Sequence, residues 1–411
     1  KSKAEVIIIE IGGTVGEYQN ILFLEAARMM HLRNPGSVQF ILVSYLPIPK
    51  KIGEMKTKPT QYAVRTLNSS GIQPDFILCR AEKPLDQPRK EKLSNICSMK
   101  AEDIISAIDV DSIYEIPLNF SQEKLAAKIL KKFELKEKKE NLGDWKKMVK
   151  SSQRYRKSAK IGIVGKYFGI GDFVLVDSYM SVIEALKHGC WANKVKADLT
   201  WINAGEFEKS PKGVKTLKKY DGLVVPQGWG SRGSEGKIKA IKFARENKIP
   251  YLGLCYGMQM AVIEFARHVA SLKKANSLEV EAKTPHPVIH IMPDQEKYLK
   301  KKQYGGTIRL GNWPCRLVKG THVAQAYKGI NIIQERHRHR YEFNNTYRKK
   351  LEAKGLVIAG TSPDGKLVEA IEIKDHPFFV GVQFHPEYKS WPLIPHPIFR
   401  EFIKAAINEP R

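Results

Sequence analysis

One turn, Gly253-Leu-Cys-Tyr-Gly257, constrains the fold of this chain more than any other stretch. A short apolar run ends at Leu254, and apolar residues at helical spacing begin directly after the second glycine. This order predicts a strand, a tight turn and a helix. The glycines permit a backbone too crowded for a β-carbon, and the helix start presents N–H groups to the Cys255 sulfur. Both features favour a reactive cysteine on a nucleophile elbow, and the alternative interpretation is a small buried core cysteine.

Length and composition limit the remaining choices. At 411 residues the chain is long enough for two or three domains, and we expect two. The chain contains 42% hydrophobic and 27% charged residues, and no apolar run approaches the roughly 20 residues of a membrane helix. The cysteines are odd in number and form no Cys-x-x-Cys pair, which favours a reducing, cytoplasmic environment. They are Cys79, Cys97, Cys190, Cys255 and Cys315.

The formal net charge of +26 raises the hypothesis of a nucleic-acid partner, because a basic surface attracts phosphates. The excess is spread along the chain rather than collected in one tail. The sequence also has no basic motif interleaved with aromatic residues that would stack single-stranded bases. We therefore expect a solvated lysine surface and a site for polyanionic nucleotides, and no nucleic acid.

An apolar run at residues 6–11 predicts a central parallel strand that leads into a glycine-rich turn. Glu10 lies near the carboxyl end of this run, where open α/β sheets bind ligands. Because a carboxylate on so apolar a strand needs a partner, we expect Glu10 to bind Mg²⁺, with a salt bridge to a lysine as the alternative. The chain begins Lys-Ser-Lys without a methionine or a signal peptide, so we expect that an upstream segment is missing.

The rest of the first part, residues 1–134, has the rhythm of a doubly wound parallel sheet. Further strands are predicted from apolar runs at residues 38–43, 76–79 and 113–117. Between them, the segment Lys56-Thr-Lys-Pro-Thr-Gln61 crowds two ammonium groups and two hydroxyls onto a turn stiffened by proline. Such a cluster suits an anionic ligand, and an exposed turn without a ligand is the alternative.

A change of composition separates the two parts of the chain. Residues 135–159 are strongly charged and poor in apolar side chains, so we expect a linker with one helix. At Lys160 the pattern changes to Ile-Gly-Ile-Val-Gly, the predicted first strand of a second domain over residues 160–411. Its other strands are predicted at residues 222–226, 250–254, 330–334, 356–359, 367–373 and 378–384. The sequence thus predicts two doubly wound α/β domains with mainly parallel sheets.

The last predicted strand ends in the segment Gln-Phe-His385-Pro-Glu387. A histidine at a strand end can act as a general base, and a carboxylate two residues later can orient it, because alternate strand residues point the same way. The two residues complete a Cys-His-Glu triad if His385 lies near Cys255. Spacing along the chain does not give that distance.

The Gly-x-Cys-x-Gly-x-Gln turn and the later His-Pro-Glu together resemble the signature of class I glutamine amidotransferases. Further stretches narrow the resemblance to the CTP synthase family, from Val6 to the C-terminus. They are Glu10-Ile-Gly-Gly-Thr-Val-Gly16, Lys56-Thr-Lys-Pro-Thr-Gln61, Ser112-Ile-Tyr-Glu-Ile-Pro117, Ala275-Asn-Ser-Leu-Glu279, Gly306-Thr-Ile-Arg-Leu-Gly311 and Glu335-Arg-His-Arg-His-Arg-Tyr-Glu342. The resemblance implies that ammonia released from glutamine displaces a phosphate, which ATP has placed on the 4-oxygen of UTP, to give CTP.

The resemblance also implies a role for each matching residue. Cys255 would be the nucleophile, His385 the base and Glu387 its orienter. Glutamine and the oxyanion would be held by Gln227, Gly228, Tyr256, Gln259, Glu279 and Arg340. The UTP or CTP site would include Glu17, Lys56, Gln61 and Lys92, while Glu10 would bind Mg²⁺ and Arg309 would respond to GTP, the allosteric activator of the family. A homotetramer is implied as well.

Three departures from the family pattern limit these expectations. The P-loop segment that binds ATP at the start of the family is not found in this chain. Gln227 replaces a glycine of the oxyanion loop, and a β-carbon there can resist the required backbone, so we expect slower glutamine hydrolysis. Glu17-Tyr-Gln replaces the usual Asp-Ile-Glu, which weakens the case for feedback inhibition by CTP. The alternative hypothesis is a truncated paralogue that serves as a nucleotide-binding or assembly subunit without making CTP.

Overall fold

The computed structural model describes residues 4–166, 169–170, 173–174, 179–292 and 308–408. The chain divides into two compact units, residues 1–149 and 150–411. The division lies within the segment predicted as a linker, and the helix Gly143–Ser152 crosses it. In the described ranges, no helix has both the length and the apolar character needed to cross a membrane.

The first unit is built on a small parallel sheet. Its strands are β1 (Ile41–Tyr45), β2 (Phe76–Ala81) and β3 (Ile104–Ile108), paired in that order. Its helices are α1 (Ile21–Arg33), α2 (Lys58–Ser69), α3 (Gln87–Cys97), α4 (Ile116–Gln122), α5 (Leu125–Lys132) and α6 (Gly143–Ser152). Helix α2 begins with Pro59 in its first turn, a position where the missing N–H of proline has no cost. Buried side chains of β1, β2, α2 and α3 form the core of this unit.

Two strand predictions in the first unit are wrong. Residues 6–11 form no strand, and the side chains of Ile7, Ile8 and Ile9 are 67%, 94% and 74% exposed. An apolar run becomes a buried strand only where a neighbouring strand pairs with it, and the described sheet of this unit pairs only β1, β2 and β3. Residues 113–117 instead form a 3₁₀ turn that enters α4, because Ser112 and Glu115 cap it reciprocally.

The second unit contains a nine-stranded sheet in the order β13-β12-β15-β16-β17-β9-β8-β4-β7. The strands from β17 to β7 are parallel, and those from β13 to β17 are antiparallel. The strands of this sheet are β4 (Ser158–Gly165), β7 (Lys196–Asn203), β8 (Gly222–Val225), β9 (Tyr251–Leu254), β12 (Arg309–Leu317), β13 (Ile332–His339), β15 (Leu356–Thr361), β16 (Val368–Ile373) and β17 (Phe379–Val382). The predicted α/β class is confirmed, and an antiparallel extension adjoins the parallel half.

Shorter strands and the helices complete the second unit. The short strands are β5 (Gly169–Ile170), β6 (Phe173–Val174), β10 (Asn276–Ser277), β11 (Pro287–Ile291) and β14 (Tyr341–Phe343). The helices are α7 (Met180–Ala192), α8 (Ala204–Lys209), α9 (Ser234–Glu246), α10 (Tyr256–His268), α11 (His322–Ala326), α12 (Arg348–Glu352) and α13 (Pro397–Asn408). Alternate strand residues enter different core clusters, Leu223 with α9 and α10 and Val224 with α7 and α13. Helices therefore cover both faces of the parallel half.

Candidate functional site

Three neighbouring parallel strands deliver the predicted catalytic segments to one edge of the large sheet. Strand β9 lies between β17 and β8, and Leu254 pairs with Val382 at the carboxyl ends. Cys255 follows β9 directly, and its N–H donates to the Val382 carbonyl at 2.7 Å. His385 lies three residues after β17, and the predicted oxyanion loop follows β8. Carboxyl ends of parallel strands form the crevices where α/β sheets bind ligands.

Cys255 occupies a strained turn between β9 and α10. Its φ is 51° and its ψ is −99°, a conformation that side chains with a β-carbon rarely adopt. A β-carbon on Gly253 would lie 2.6 Å from the Tyr251 hydroxyl, and one on Gly257 would lie 2.0 Å from the Val225 carbonyl oxygen. These contacts account for both glycines of the motif, because the turn is packed tightly between β8, β9 and α10. Cys255 itself is 5% exposed, and strain of this kind is typical of functional sites.

The close contact at Gly257 gives a test of this packing. Gly257→Ala is expected to lower the free energy of unfolding by about 1–3 kcal/mol, because the new methyl group overlaps the Val225 carbonyl oxygen. Gly213→Ala is the matched control, since its methyl group would meet the Phe207 ring at an ordinary 3.5 Å. Urea denaturation of both variants measures the difference. Equal stability of the two variants would contradict the packing described for the turn.

His385 and Glu387 form a buried pair beside Cys255. The His385 Nδ1 and the Glu387 Oε1 are 2.7 Å apart, and both residues are at most 3% exposed. Burial alone would lower the pKa of His385, but the Glu387 carboxylate and the Cys255 sulfur outweigh burial and raise this pKa well above its usual value. The His385 backbone N–H donates to the Arg336 carbonyl at 2.7 Å, which fixes the residue against β13. The arrangement holds a protonated imidazole next to sulfur.

The raised pKa of His385 predicts a pH-dependent effect of Glu387→Gln. A raised folded-state pKa adds stability that is complete below the usual histidine pKa and is lost as the pH rises through the raised value. Glu387→Gln removes this contribution, so we expect a loss of about 1.5–3 kcal/mol near pH 6 that shrinks toward pH 9. Chemical denaturation of both proteins across this range measures it. A loss that grows with pH would contradict the assignment.

Two buried glutamines also adjoin the cysteine, and only one of them was predicted. Gln383 Nε2 donates to the Cys255 sulfur at 3.5 Å. Gln259 Nε2 donates to the Tyr341 carbonyl at 2.9 Å and to Gln383 Oε1 at 3.2 Å. Gln259 is 3% exposed and Gln383 is completely buried. Gln383 stood two residues before His385 in the predicted strand, and the period-two alternation of strands was the signal that could have found it.

The loop Pro226-Gln-Gly-Trp-Gly230 lies beside the cysteine turn. The Tyr256 hydroxyl donates to the Gly230 carbonyl at 2.6 Å, so the residue after the nucleophile is tied to this loop. Gln227 stands where the family has a glycine, and this replacement suggested backbone strain. Its φ is negative, however, so the residue is not in the left-handed region where a β-carbon is strained. A β-carbon on Gly228 would lie 3.4 Å from the Lys237 Nζ, which shows how closely a lysine approaches the loop.

Glu279 and Arg340 supply opposite charges near the same loop. Glu279 Oε1 accepts from the Gly230 N–H at 2.7 Å, and Arg340 is 6% exposed. Burial raises the pKa of Glu279, while the Gly230 N–H and the charges of Lys166 and Arg340 act against that rise. An amino acid presents one ammonium and one carboxylate, and this pair of side chains is complementary to both.

Arg309 lies in a buried group that the sequence did not indicate. Its Nη1 is 2.7 Å from Glu369 Oε1, and the His337 Nδ1 is 3.0 Å from the His339 Nε2. Burial lowers the pKa of both histidines, that of His339 to about 3, and raises that of Glu369 to about 7. The two histidines and Glu369 could converge on a cation. The guanidinium of Arg309 already holds a positive charge there, so the structure favours an ion pair with two neutral imidazoles.

The residues predicted for nucleotide binding lie in the first unit. Lys56 is 2.6 Å from Glu54 and precedes α2, and Gln61 Nε2 donates to the Thr57 hydroxyl at 3.0 Å. The hydrogen bond and charge of Lys56 lower the pKa of Glu54, and the charges of Arg89 and of Lys92, which is exposed on α3, add to this. These lysines thus surround one carboxylate rather than a vacant anion site.

The other two acidic predictions of the first unit are exposed. Glu17 lies in the turn before α1, and Glu10 lies on the extended segment that was wrongly predicted as a strand. The described residues gather no further carboxylate or histidine around Glu10 into a group suited to a metal. Because Mg²⁺ is usually bound through one or two carboxylates together with substrate phosphates, the Mg²⁺ role of Glu10 stays a prediction. Of the Gly306 to Gly311 stretch, Gly306 and Thr307 lie outside the described residues.

Comparisons with known proteins match both units. The family model described as glutamine amidotransferase class-I matches residues 174–405, and the one described as CTP synthase N-terminus matches residues 1–135. A CTP synthase from Caldanaerobacter subterraneus subsp. tengcongensis is 48% identical over 409 residues, which cover 99% of this chain and 74% of the relative. A CTP synthase from Carboxydothermus hydrogenoformans is 50% identical over 411 residues, with 99% and 75% coverage.

One solved structure is similar to the second unit. It is the glutaminase domain of the Trypanosoma brucei CTPS with bound acivicin, which is 37% identical to this chain. The TM-score is 0.56, and the match covers 62% of this chain and 96% of the solved one. The sequence and the fold of the second unit therefore agree with those of a glutaminase domain.

Proposed function

Because the chain belongs to the CTP synthase family, we propose that its second unit hydrolyses glutamine with Cys255, His385 and Glu387 as a catalytic triad. The ammonia then serves the ATP-dependent amination of UTP to CTP, in which ATP use follows from the family. The observation that carries the proposal is the placement of a strained cysteine beside a buried His–Glu pair, at the ends of adjacent strands. A structural cysteine needs neither the strain nor the pair.

The chemistry follows from the positions of these groups. The Cys255 sulfur attacks the carboxamide carbon of glutamine, and the His385 imidazolium gives its proton to the leaving nitrogen, which departs as ammonia. A thioester of the enzyme with glutamate remains. His385 then takes a proton from water, the hydroxide attacks the thioester carbon, and the sulfur leaves as glutamate forms. Glu387 keeps the imidazole oriented and stabilises its charged form throughout.

The oxyanion formed in each step needs donors in a fixed position. We assign this role to the backbone N–H groups of Gln227, Gly228 and Tyr256, on the loop and turn that flank Cys255. Removing one such donor in other enzymes costs about 2.7–4 kcal/mol of transition-state stabilisation. The ordinary φ of Gln227 supports a functional oxyanion site despite the lost glycine.

Glutamine itself is held by charge, with Glu279 for its ammonium group and Arg340 for its carboxylate. Arg340→Met is expected to raise KM for glutamine roughly 10- to 100-fold, because a hydrogen bond to a charged group contributes about 1.5–3 kcal/mol. Arg338→Met is the control, since Arg338 lies on β13 two residues before Arg340 and is exposed. Steady-state kinetics of glutamate release measures both. An unchanged KM in Arg340→Met would reject the assignment.

In the first unit we assign UTP or CTP to Lys56, Gln61, Lys92 and Glu17. The lysines supply positive charge for a triphosphate, provided that the ligand displaces Glu54 from Lys56. Arg309 is assigned to GTP, which would have to compete with Glu369 for the guanidinium. A homotetramer is proposed from the family, while Mg²⁺ at Glu10 finds no support in its surroundings and enters no step.

One experiment tests the proposed function in the chain as it exists. Glutamate release from glutamine is measured with and without GTP, and CTP formation is measured from UTP and ATP with glutamine or ammonia. Glutamate release that GTP increases supports the glutaminase and the GTP assignment. Nucleotide binding without glutamate release would favour the alternative hypothesis of a nucleotide-binding or assembly subunit. The chain spans about three quarters of the length of these relatives.

A further inference from the structure

The loop of residues 226–230, here called the oxyanion loop, is held from outside by its carbonyl groups. Four of its five carbonyl oxygens accept a hydrogen bond from a side chain on another element. The donors are Lys237 to Pro226 at 3.2 Å, Tyr179 to Gln227 at 3.4 Å, Lys166 to Trp229, and Tyr256 to Gly230 at 2.6 Å. These bonds come from α9, the start of α7, the end of β4 and α10, so the surrounding fold sets the loop geometry.

Holding a carbonyl fixes the N–H of the next residue. In a planar trans peptide the C=O and N–H point in opposite directions, and the described chain contains no cis peptide. The bond from Lys237 to the Pro226 carbonyl therefore turns the Gln227 N–H away from the lysine. In the described part of the chain, the Gln227 N–H donates to no backbone carbonyl. It is thus oriented yet available to a ligand.

Lys237 is an unusual choice for such a bond. It is completely buried in α9, and its Nζ lies 5.0 Å from the centre of the Tyr256 ring. Among the described residues, the charged groups that act on it are Lys166 and the Cys255 sulfur, and no carboxylate is one of them. Burying an ammonium without a carboxylate is costly, and an apolar side chain of the same length would pack there without that cost. A role beyond packing explains why a lysine occupies the position.

The groups that act electrostatically on Lys237 include the proposed nucleophile. Burial and, after it, the nearby Lys166 charge lower the pKa of Lys237 to about 7, while the Cys255 sulfur acts to raise it. Whether charged or neutral, the amine can donate to the Pro226 carbonyl. Lys237 thus contacts the oxyanion loop through Pro226 and the residue after the nucleophile through the Tyr256 ring, and it senses the charge of the Cys255 sulfur.

We propose that Lys237 is a positioning residue for glutamine hydrolysis, which holds the Pro226 carbonyl so that the Gln227 N–H faces the oxyanion. This inference rests on the proposed function of the second unit and assigns to it a residue that touches neither glutamine nor its reacting atoms. The role requires the donor at the end of the side chain and not merely its bulk.

The test compares Lys237→Met with wild type and with Lys239→Met. Methionine keeps the length of the side chain and removes the donor. Lys239 lies on the same helix and also donates to a carbonyl, that of Phe207 at 3.0 Å, away from the loop. Thermal unfolding first establishes that each variant is folded. We expect Lys237→Met to lower kcat for glutamine about 10²-fold with KM changed less than about threefold, and Lys239→Met to match wild type.

A second readout separates positioning from general damage. Alkylation of Cys255 by iodoacetamide forms no oxyanion, so its rate is expected to be unchanged in Lys237→Met. A crystal structure of this variant should show the Pro226–Gln227 peptide rotated. An unchanged kcat, an alkylation rate that falls in parallel with kcat, or an unrotated peptide would each overturn the inference. If the wild-type protein did not hydrolyse glutamine, the proposed function would be rejected instead. The orientation of the Pro226–Gln227 peptide in Lys237→Met would still show whether Lys237 holds the loop.

Discussion

Replacing Cys255 by alanine is expected to reduce kcat for glutamine hydrolysis by a factor on the order of 10⁵ or more. The thiol supplies the bond that forms in the first step, and no other described cysteine lies at a sheet edge beside a His–Glu pair. Removing the nucleophile from the catalytic triad of a serine protease lowers kcat by a factor of about 10⁶. Glutamate release at saturating glutamine measures the loss. The fold is expected to persist, because alanine is smaller than cysteine at a tight turn.

The matched control is Cys190→Ala in the core of the same unit. Burial raises the pKa of the Cys190 thiol to about 12, so this thiol has no means of acting as a nucleophile near neutral pH. We expect this variant to retain kcat and iodoacetamide to label Cys255 in it. Residual glutamate release of more than about one percent in Cys255→Ala, with Cys190→Ala unaffected, would exclude Cys255 as the nucleophile.

The second large effect is expected for His385→Asn, which should lower kcat by roughly 10⁴, the upper end of what general acid–base catalysis contributes. Asparagine can still accept or donate a hydrogen bond, but it delivers no proton to the leaving ammonia and takes none from water. KM for glutamine is expected to change little, because His385 holds neither charged group of the substrate. Pre-steady-state quench of the reaction should show little thioester, since the first proton transfer is the one that fails.

His376→Asn is the control for the histidine variant. His376 is 3% exposed and His385 is 2% exposed, and His376 precedes β17 at the opposite end of that strand. Burial lowers the pKa of His376 to about 4, so it stays neutral where His385 is charged. If both variants lost activity to the same extent, the effect would come from packing around β17 and not from proton transfer.

The residues proposed to be catalytic could be singled out because their motifs are local in sequence. Two glycines flank Cys255 for steric reasons that the structure makes explicit at Gly257. His385 and Glu387 are two residues apart and meet across a 3₁₀ turn after β17, not through the strand alternation on which their pairing was predicted. What the sequence could not give is the pairing of β9 with β17, because strand order depends on contacts distant along the chain. The side chains of Lys237 and Tyr179, which donate hydrogen bonds to carbonyls of the oxyanion loop, were also missed, because neither belongs to a motif.

The wrong predictions have equally specific causes. The apolar run at residues 6–11 has the composition of a buried strand, but composition does not supply the neighbour that a strand needs. Strand β12 was missed because Gly311, Asn312 and Pro314 are poor strand formers, and its long ladder with β13 overrides their propensity. Residues 113–117 were misassigned although Ser112 and Glu115 form a capping box that was visible in the sequence.

The way the oxyanion loop is held has a consequence for how such proteins diverge. A loop whose backbone conformation requires glycine loses function when that glycine is replaced, so substitutions of it are not tolerated. Here the loop carbonyl groups accept hydrogen bonds from four side chains outside the loop, which determine its conformation. These are Lys237, Tyr179, Lys166 and Tyr256. The shape of the loop therefore does not require glycine at position 227. Among homologues, we expect drift at this position to occur only in lineages that keep the outer donors.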